Sequence, residues 1–413
     1  MQSIRNVAVI GLGYVGLPTA AVLARSGLTV LGVDVNKAVV DTVNEGRIHI
    51  AEHDLAGIVQ QMVRNGQLRA SVAPEPADVF MIAVPTPVNQ DNTPNMTLVD
   101  AACAAIAPVL KKNDLVIIES TSTVGTTERA AQLFAQARPD LTFPSTHPEA
   151  SDVLMAYCPE RILPGATLRE LVENARILGG LDKRSASRAE ELYAQFVKGE
   201  MILSHARVAE MSKLTENAFR DVNIAFANEL SMVCEELDIN VWSVIEAANL
   251  HPRVNILQPG AGVGGHCIPV DPWFIINRAP DTAKVMRAAR VANHEKTHRV
   301  TVRIADAAGD SNSAIALLGL SYKPNVDDLR ESPSLEILEG LLGQGFSQIL
   351  VVEPNIEALP TGDYNGRIRL VSLSEALAQA KVVAILVNHA GFRAEIEAIR
   401  QHPLVIDPVG ALQ

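Results

Sequence analysis

At 413 residues the chain is too long for one ordinary hydrophobic core, and roughly 150 residues per domain calls for two or three domains. Its composition, 48% hydrophobic and 20% charged with only 4% aromatic, suits helices packed on parallel strands. A formal net charge of −12 argues against nucleic acid as the main partner, and an anionic ligand would need a locally basic site.

The opening stretch MQSIRNVAVIG runs straight into a strand, without the charged, apolar and cleavage segments of a leader. No apolar run approaches the ~20 residues that span a bilayer, so a soluble, cytoplasmic protein is expected. Cys103, Cys158, Cys234 and Cys267 stand far apart and form no CxxC pair, which fits reduced thiols better than disulfides or a structural zinc site.

Residues 7–34 read as strand, glycine turn, helix, strand. Gly11, Gly13 and Gly16 form G-x-G-x-x-G, where glycines permit the tight turn, the approach of a pyrophosphate and helix-on-strand packing at a positive helix N-terminus. Asp34 ends the second strand 18 residues after Gly16, placed to accept both ribose hydroxyls and to repel a 2′-phosphate, so NAD is expected rather than NADP. Apolar strands at Val79 to Val84 and Leu115 to Ile118 continue a parallel, doubly wound sheet. VPTP (84–87) and ESTSTVGTT (119–127) follow these strands at the end where ligands bind; their hydroxyls suit either ligand contacts or ordinary turns and caps.

YCPERILPG sets Glu160 and Arg161 between prolines, either a carboxylate acting on water beside an arginine that holds an anionic substrate, or a surface ion pair. The stretch 206–237 has no Gly or Pro and reads as one helix of about 48 Å. Glu210, Lys213, Asn217 and Arg220 share one face of it, a solvated stripe or the lining of a cleft in which a desolvated lysine carries protons. In GAGVGGHCIPVDPW, Cys267 is a packed thiol, a zinc ligand with His266, or a nucleophile. The nucleophile fits best, because glycines let backbone N–H groups approach a reacting oxygen, and Asp271 can manage protons. The last third echoes the first: AIALLGLSYKP, ILVVEPN, VVAILVNH and PLVIDPVG repeat the strand-and-turn pattern without the later fingerprint glycines. A second Rossmann-like domain that holds a nucleotide other than NAD follows. The expected boundaries are 1–200 for the NAD domain, 201–299 for a central helical, dimerising domain with the cysteine loop, and 300–413 for the second nucleotide domain.

Over essentially its whole length the chain resembles the UDP-sugar 6-dehydrogenases, most specifically in GLGYVGLP, STSTVGTT, AYCPERILPG, KLTENAFRDVNIAFANEL, HPRVNILQPGAGVGGHCIPVDPWF and SYKPNVDDLRESPS. HPRVN and His266 before the cysteine point to its N-acetylhexosamine branch, with UDP-N-acetyl-D-mannosamine as substrate and UDP-N-acetyl-D-glucosamine as the alternative. The resemblance implies a four-electron oxidation at C6 with two NAD, through a thiohemiacetal and a thioester on the cysteine. It makes Cys267 the nucleophile and Lys213 the proton carrier, with Glu160, Asn217, Thr121 and Asp271 organising water and protons. Cofactor contacts fall on Gly11, Gly13, Tyr14, Val15, Gly16, Asp34, Thr86, Thr127 and Arg330. Substrate contacts fall on Arg161, Ile162, Lys213, Asn217, Arg220, His251, Arg253, Gly264, Tyr322 and Lys323. A homodimer through the long helix is implied, and no metal. Thr123 stands where a proline is common in that family.

Overall fold

The computed structural model describes residues 3–413 apart from 51, 53, 149, 163–166, 360–363 and 365. It comprises two compact units, Met1–Thr215 with Trp273–Arg278, and Glu216–Pro272 with Ala279–Gln413. Among the described residues no helix is long and apolar enough to cross a membrane.

The first unit is built on an eight-stranded sheet: β1 Asn6–Ile10, β2 Thr29–Val33, β3 Leu68–Ser71, β4 Val79–Ile82, β5 Leu115–Ile118, β6 Leu154–Tyr157, β7 Arg176–Gly180 and β8 Met201–His205, in the order β3-β2-β1-β4-β5-β6-β7-β8. Strands β4 and β5 are buried throughout, as befits a sheet covered by helices on both faces. The strand order reverses at β1, which lies between β2 and β4 and opens the crevice characteristic of doubly wound folds. Sequence reading finds β1, β2, β4 and β5. It does not find the extension through β6, β7 and β8, or that β6 and β7 pair antiparallel. At the end of β7 a glycine is required: a Cβ on Gly180 would lie 2.3 Å from the Asp182 carbonyl oxygen, so the helix Lys183–Tyr193 can start tight against the strand.

In the second unit a five-stranded parallel sheet comprises β9 Ile315–Leu318, β10 Ile349–Val352, β11 Ile368–Leu370, β12 Val382–Ile385 and β13 Val405–Ile406. Its order, β11-β10-β9-β12-β13, repeats that of the first five strands, so the sequence echo corresponds to a second doubly wound sheet.

Between the two sheets in sequence run helices, led by Ala206–Glu236, 31 residues within one residue of the expected span. Residues 206–215 of this helix belong to the first unit and 216–236 to the second. In the second unit it is tied to the helix Lys284–Ala308 by buried polar groups. Asp221 accepts from Arg290 Nη1 at 2.6 Å and Asn293 Nδ2 at 2.8 Å, and Lys296 Nζ donates to Ser231 Oγ at 2.8 Å. Burial pushes the Lys296 amine down to about 8. Asn228 Oδ1 accepts the Gly260 N–H at 2.9 Å, so this layer also anchors the glycine-rich loop.

Candidate active site

The glycine turn after β1 has the strain and space that a dinucleotide requires. Gly11 has φ +95°, and a Cβ there would stand 2.6 Å from the Ala83 carbonyl oxygen. A Cβ on Gly16 would sit 1.8 Å from the Gly11 carbonyl oxygen, whereas one on Gly13 would meet no protein atom within 4 Å. Protein packing therefore demands two of the glycines, and the third faces open space. Helix Gly16–Arg25 starts there at Val15 with no side-chain cap and no acidic residue in its first turn, leaving a positive helix end for a pyrophosphate. Tyr14, 46% exposed, flanks it. Asp34 is held by the Leu12 N–H at 3.0 Å and the Asn36 N–H at 2.9 Å. Two hydrogen bonds leave the carboxylate acceptor capacity for a ribose diol, so the residues fit NAD.

Thr86 follows β4, Thr121 follows β5 and Glu160 follows β6, so adjacent strands carry these candidates along the carboxyl end of one sheet. Thr127 stands in the first turn of the helix Thr126–Ala137. It is fully buried, and its N–H and hydroxyl donate to Glu210 Oε1 at 2.9 and 2.7 Å, while the Gly125 N–H donates to Glu210 Oε2 at 2.7 Å. Glu210 thus caps the helix Thr126–Ala137 from another element, and it leaves the proposed ligand-facing stripe of the long helix. Burial pushes its carboxyl up against these donors.

Glu160 is not at an exposed loop tip but buried. Its carboxylate accepts the Arg161 N–H at 2.6 Å and pairs with the Arg176 guanidinium, also buried, so the surface-pair reading is replaced by an internal one. Behind the pair, Tyr193 OH donates to Glu119 at 2.6 Å, and the Arg176 guanidinium lies 5.6 Å from the Tyr193 ring centroid. Burial, and then the Glu160 charge, push the Glu119 carboxyl up. An arginine in the apolar stretch NARILGG was the one sequence signal of this cluster. Arg161 reaches back to the Ala175 carbonyl, and Ile162 packs on the first unit's core. Pro164, the loop's second proline, lies outside the described residues.

On the long helix, Lys213 and Asn217 are half-buried and Arg220 is exposed. Asn217 Nδ2 donates to Asp271 Oδ2 at 2.6 Å, and Asp271 N donates to the Cys267 carbonyl at 2.9 Å. A buried aspartate therefore links the amide on the helix to the cysteine turn. Cys267 is exposed, whereas Cys103, Cys158 and Cys234 are buried, which removes the packed-thiol reading. Burial pushes Cys103 up to about 12 and raises Cys158 as well, keeping both as thiols. Among the described residues no three His, Cys, Asp or Glu are set for a metal ion.

The cysteine loop leans on the turn after β9. A Cβ on Gly265 would lie 2.8 Å from the Tyr322 ring, and one on Gly264 2.9 Å from Tyr322 Cβ. Lys323 Nζ stands 5.5 Å from the same ring's centroid. His266 Nε2 approaches Asp328 Oδ2 at 3.5 Å, and Arg330 grips that carboxylate through Nε and Nη2. The Arg330 hydrogen bond, against partial burial, holds Asp328 down to about 2. Asp328 is a member of the site that motif spacing does not single out. His251 and Arg253 are exposed, with Arg253 N donating to His251 Nδ1 at 3.3 Å.

The sequence profile of the UDP-glucose/GDP-mannose dehydrogenase family matches over three successive domains: the NAD-binding domain at 5–197, the central domain at 207–295 and the UDP-binding domain at 316–413. The chain belongs to this family. As a UDP-glucose/GDP-mannose family dehydrogenase it is an NAD-dependent oxidoreductase. It is 55% identical over 395 residues to a UDP-N-acetyl-D-mannosamine dehydrogenase of Campylobacter jejuni, covering 95% of this chain and 97% of that one. It is 53% identical over 407 residues to an NDP-N-acetyl-D-galactosaminuronic acid dehydrogenase of Ralstonia nicotianae, covering 98% and 96%. Among solved structures, a UDP-N-acetyl-mannosamine dehydrogenase of Staphylococcus aureus is similar with a TM-score of 0.87 at 39% identity, covering 99% and 96%.

Proposed function

We propose that this dehydrogenase oxidises the C6 alcohol of UDP-N-acetyl-D-mannosamine to the carboxylate, transferring four electrons to two NAD, with Cys267 as the nucleophile. The observation that carries the reading is Cys267 itself, exposed on its glycine loop while the other cysteines are buried. Two NAD, bound one after the other in the glycine-turn site, would each accept one of the two hydrides that C6 gives up. Lys213 takes the alcohol proton and stabilises the oxyanion. The Cys267 thiolate adds to the aldehyde carbon, forming a C–S bond and a thiohemiacetal, and holds C6 through the second oxidation as a thioester. Water guided by Glu160, Thr121, Asn217 and Asp271 adds to that carbonyl, the C–S bond breaks, and the acid leaves with Cys267 restored. Arg161, Ile162, Arg220, His251, Arg253, Gly264, Tyr322 and Lys323 hold the sugar diphosphate, and Arg330 contributes on the cofactor side.

Support for the mannosamine sugar comes from HPRVN and His266, and from relatives of that name at 52–55% identity. The Ralstonia relatives at 53% favour a galacto-configured sugar as the second reading, and the glucosamine derivative shares the cysteine-loop pattern. Counting NADH released per molecule from the three UDP-N-acetylhexosamines tests all of these. Two per molecule from the mannosamine derivative is expected, and a clear preference for another epimer overturns the assignment. Cys267→Ser should bind both ligands yet fail to release two NADH.

The same reading makes the protein a cytoplasmic homodimer built on the long helix. Phe219, Phe226 and Val233 recur every seven residues there and are 69%, 56% and 46% exposed, an apolar stripe suited to a second copy. None of the four cysteines is in a disulfide, which suits a reducing compartment.

A further inference from the structure

The carboxyl end of the second sheet holds a buried histidine that the mechanism above does not use. His389, after β12, is fully buried. Its Nε2 lies 3.1 Å from Glu353 Oε2 and 3.3 Å from Ser321 Oγ. Its Nδ1 receives the Asn325 N–H at 2.9 Å and Asn355 Nδ2 at 3.0 Å. A backbone N–H only donates, so Nδ1 carries a lone pair and the ring proton is on Nε2, directed at Glu353: the imidazole is neutral. Glu353 in turn accepts the Leu320 and Ser321 N–H groups at 2.7 and 3.1 Å, and Ser321 Oγ donates to the Lys323 carbonyl at 2.8 Å. Asn325, left-handed at φ +62°, accepts the Ala390 N–H at 2.9 Å. The turn 321–325 is therefore clamped at both ends, and between the clamps lie Tyr322, packed on Gly264 and Gly265, and Lys323.

We propose that neutral His389 is a positioning residue for the nucleotide sugar, locking the turn that presents Tyr322 and Lys323 beside the cysteine loop. This rests on the reading that Tyr322 and Lys323 touch the nucleotide. The groups facing the imidazole are Glu353 just after β10, which favours a charged ring, the uncharged Ser321, Asn325 and Asn355, and the Phe392 ring at 5.3 Å. A proton on Nδ1 would point at two donors and push the turn away, so acid should weaken nucleotide binding.

The test is calorimetric titration of the full-length protein with UDP and, separately, with NAD. At pH 7.5, His389→Leu should weaken UDP by about tenfold, the loss of a buried acceptor, with NAD affinity unchanged and the nucleotide-sugar KM raised while kcat holds. His389→Asn, whose amide oxygen replaces Nδ1, should restore most of the affinity. Between pH 7.5 and 5.5 the wild type should lose more UDP affinity than His389→Asn, a comparison that cancels the titration of UDP itself. Equal pH slopes in the two, or UDP binding by His389→Leu as tight as wild type, overturns the proposal. Should His389→Leu not fold, the slope comparison decides. Tyr322→Phe and Lys323→Ala separate the two readings: if they leave UDP affinity intact, the binding-site reading has failed; if they weaken it while the His389 variants do not, the positioning role alone has failed.

Discussion

Gly13 and Gly16 belong to one fingerprint but answer to different neighbours. The clash at Gly16 is with backbone, so Gly16→Ala should destabilise the first unit and lower soluble yield. Gly13→Ala adds a methyl to open space, so it should melt like wild type in a thermal scan yet bind NAD at least tenfold more weakly in titration. Equal melting losses in both variants would contradict the division. Arg176 poses a second residue-level question, because removing one partner of a buried ion pair leaves the other charge unmatched, at a cost of about 3–5 kcal/mol. Arg176→Met should cost that much in urea unfolding followed in the first unit, and Arg176→Met with Glu160→Gln together should recover part of it. A double variant as unstable as the sum would show that the two do not act as a pair. The glycine turn and Asp34 were legible in the sequence because their geometry is set within one βαβ unit. Arg176 was not, because its partner is chosen by a loop after a different strand, and neither residue's neighbours in sequence betray the pairing.

At the scale of elements, the helix Thr126–Ala137 has its N-terminal N–H groups capped by Glu210, 83 and 85 residues further on. Glu210→Ala leaves two backbone N–H groups and the Thr127 hydroxyl without that acceptor in a buried place, which costs about 1–3 kcal/mol. Hydrogen exchange should speed at residues 125–129 in this variant while the core strands β4 and β5 keep their protection, and uniform acceleration would mean that the cap is not local. The long helix itself was readable from the lack of Gly and Pro and from its length. Which of its polar residues face ligand was not, since periodicity puts Glu210 on the Lys213 face and only tertiary packing turns it to a helix end. Strands β7 and β8 escaped for a related reason: β7, RILGG, opens on Arg176 and ends in two glycines, and β8 is half exposed, so neither carries the apolar run that marks the inner parallel strands.

For the whole molecule, the second sheet repeats the order of the first five strands of the first, and the weak repeat in the sequence was enough to reveal it because each half carries the same succession of apolar strands. The turns that follow the strands differ between the halves, with glycines and Asp34 in one and Glu353 and His389 in the other. Burial alone would raise Glu353, but its hydrogen bonds from His389 and from the Leu320 and Ser321 N–H groups hold it down to about 2, below the ordinary 4.5. A carboxyl lowered on folding stabilises the fold above its unfolded value, and that contribution disappears as pH falls from about 4.5 towards 2. With Trp273 replaced by Phe, Trp242 fluorescence reports on the second unit, where it packs on Gly410. Its urea midpoint should drop between pH 6 and pH 3, and drop less when Glu353→Gln is added. The same drop in both would place the acid sensitivity elsewhere. The division of the cysteines carries a last consequence. A thiol-alkylating reagent should take up one equivalent per native chain, at Cys267, and four once the chain unfolds, so the protein carries an internal count of its own folded fraction that is read by mass alone.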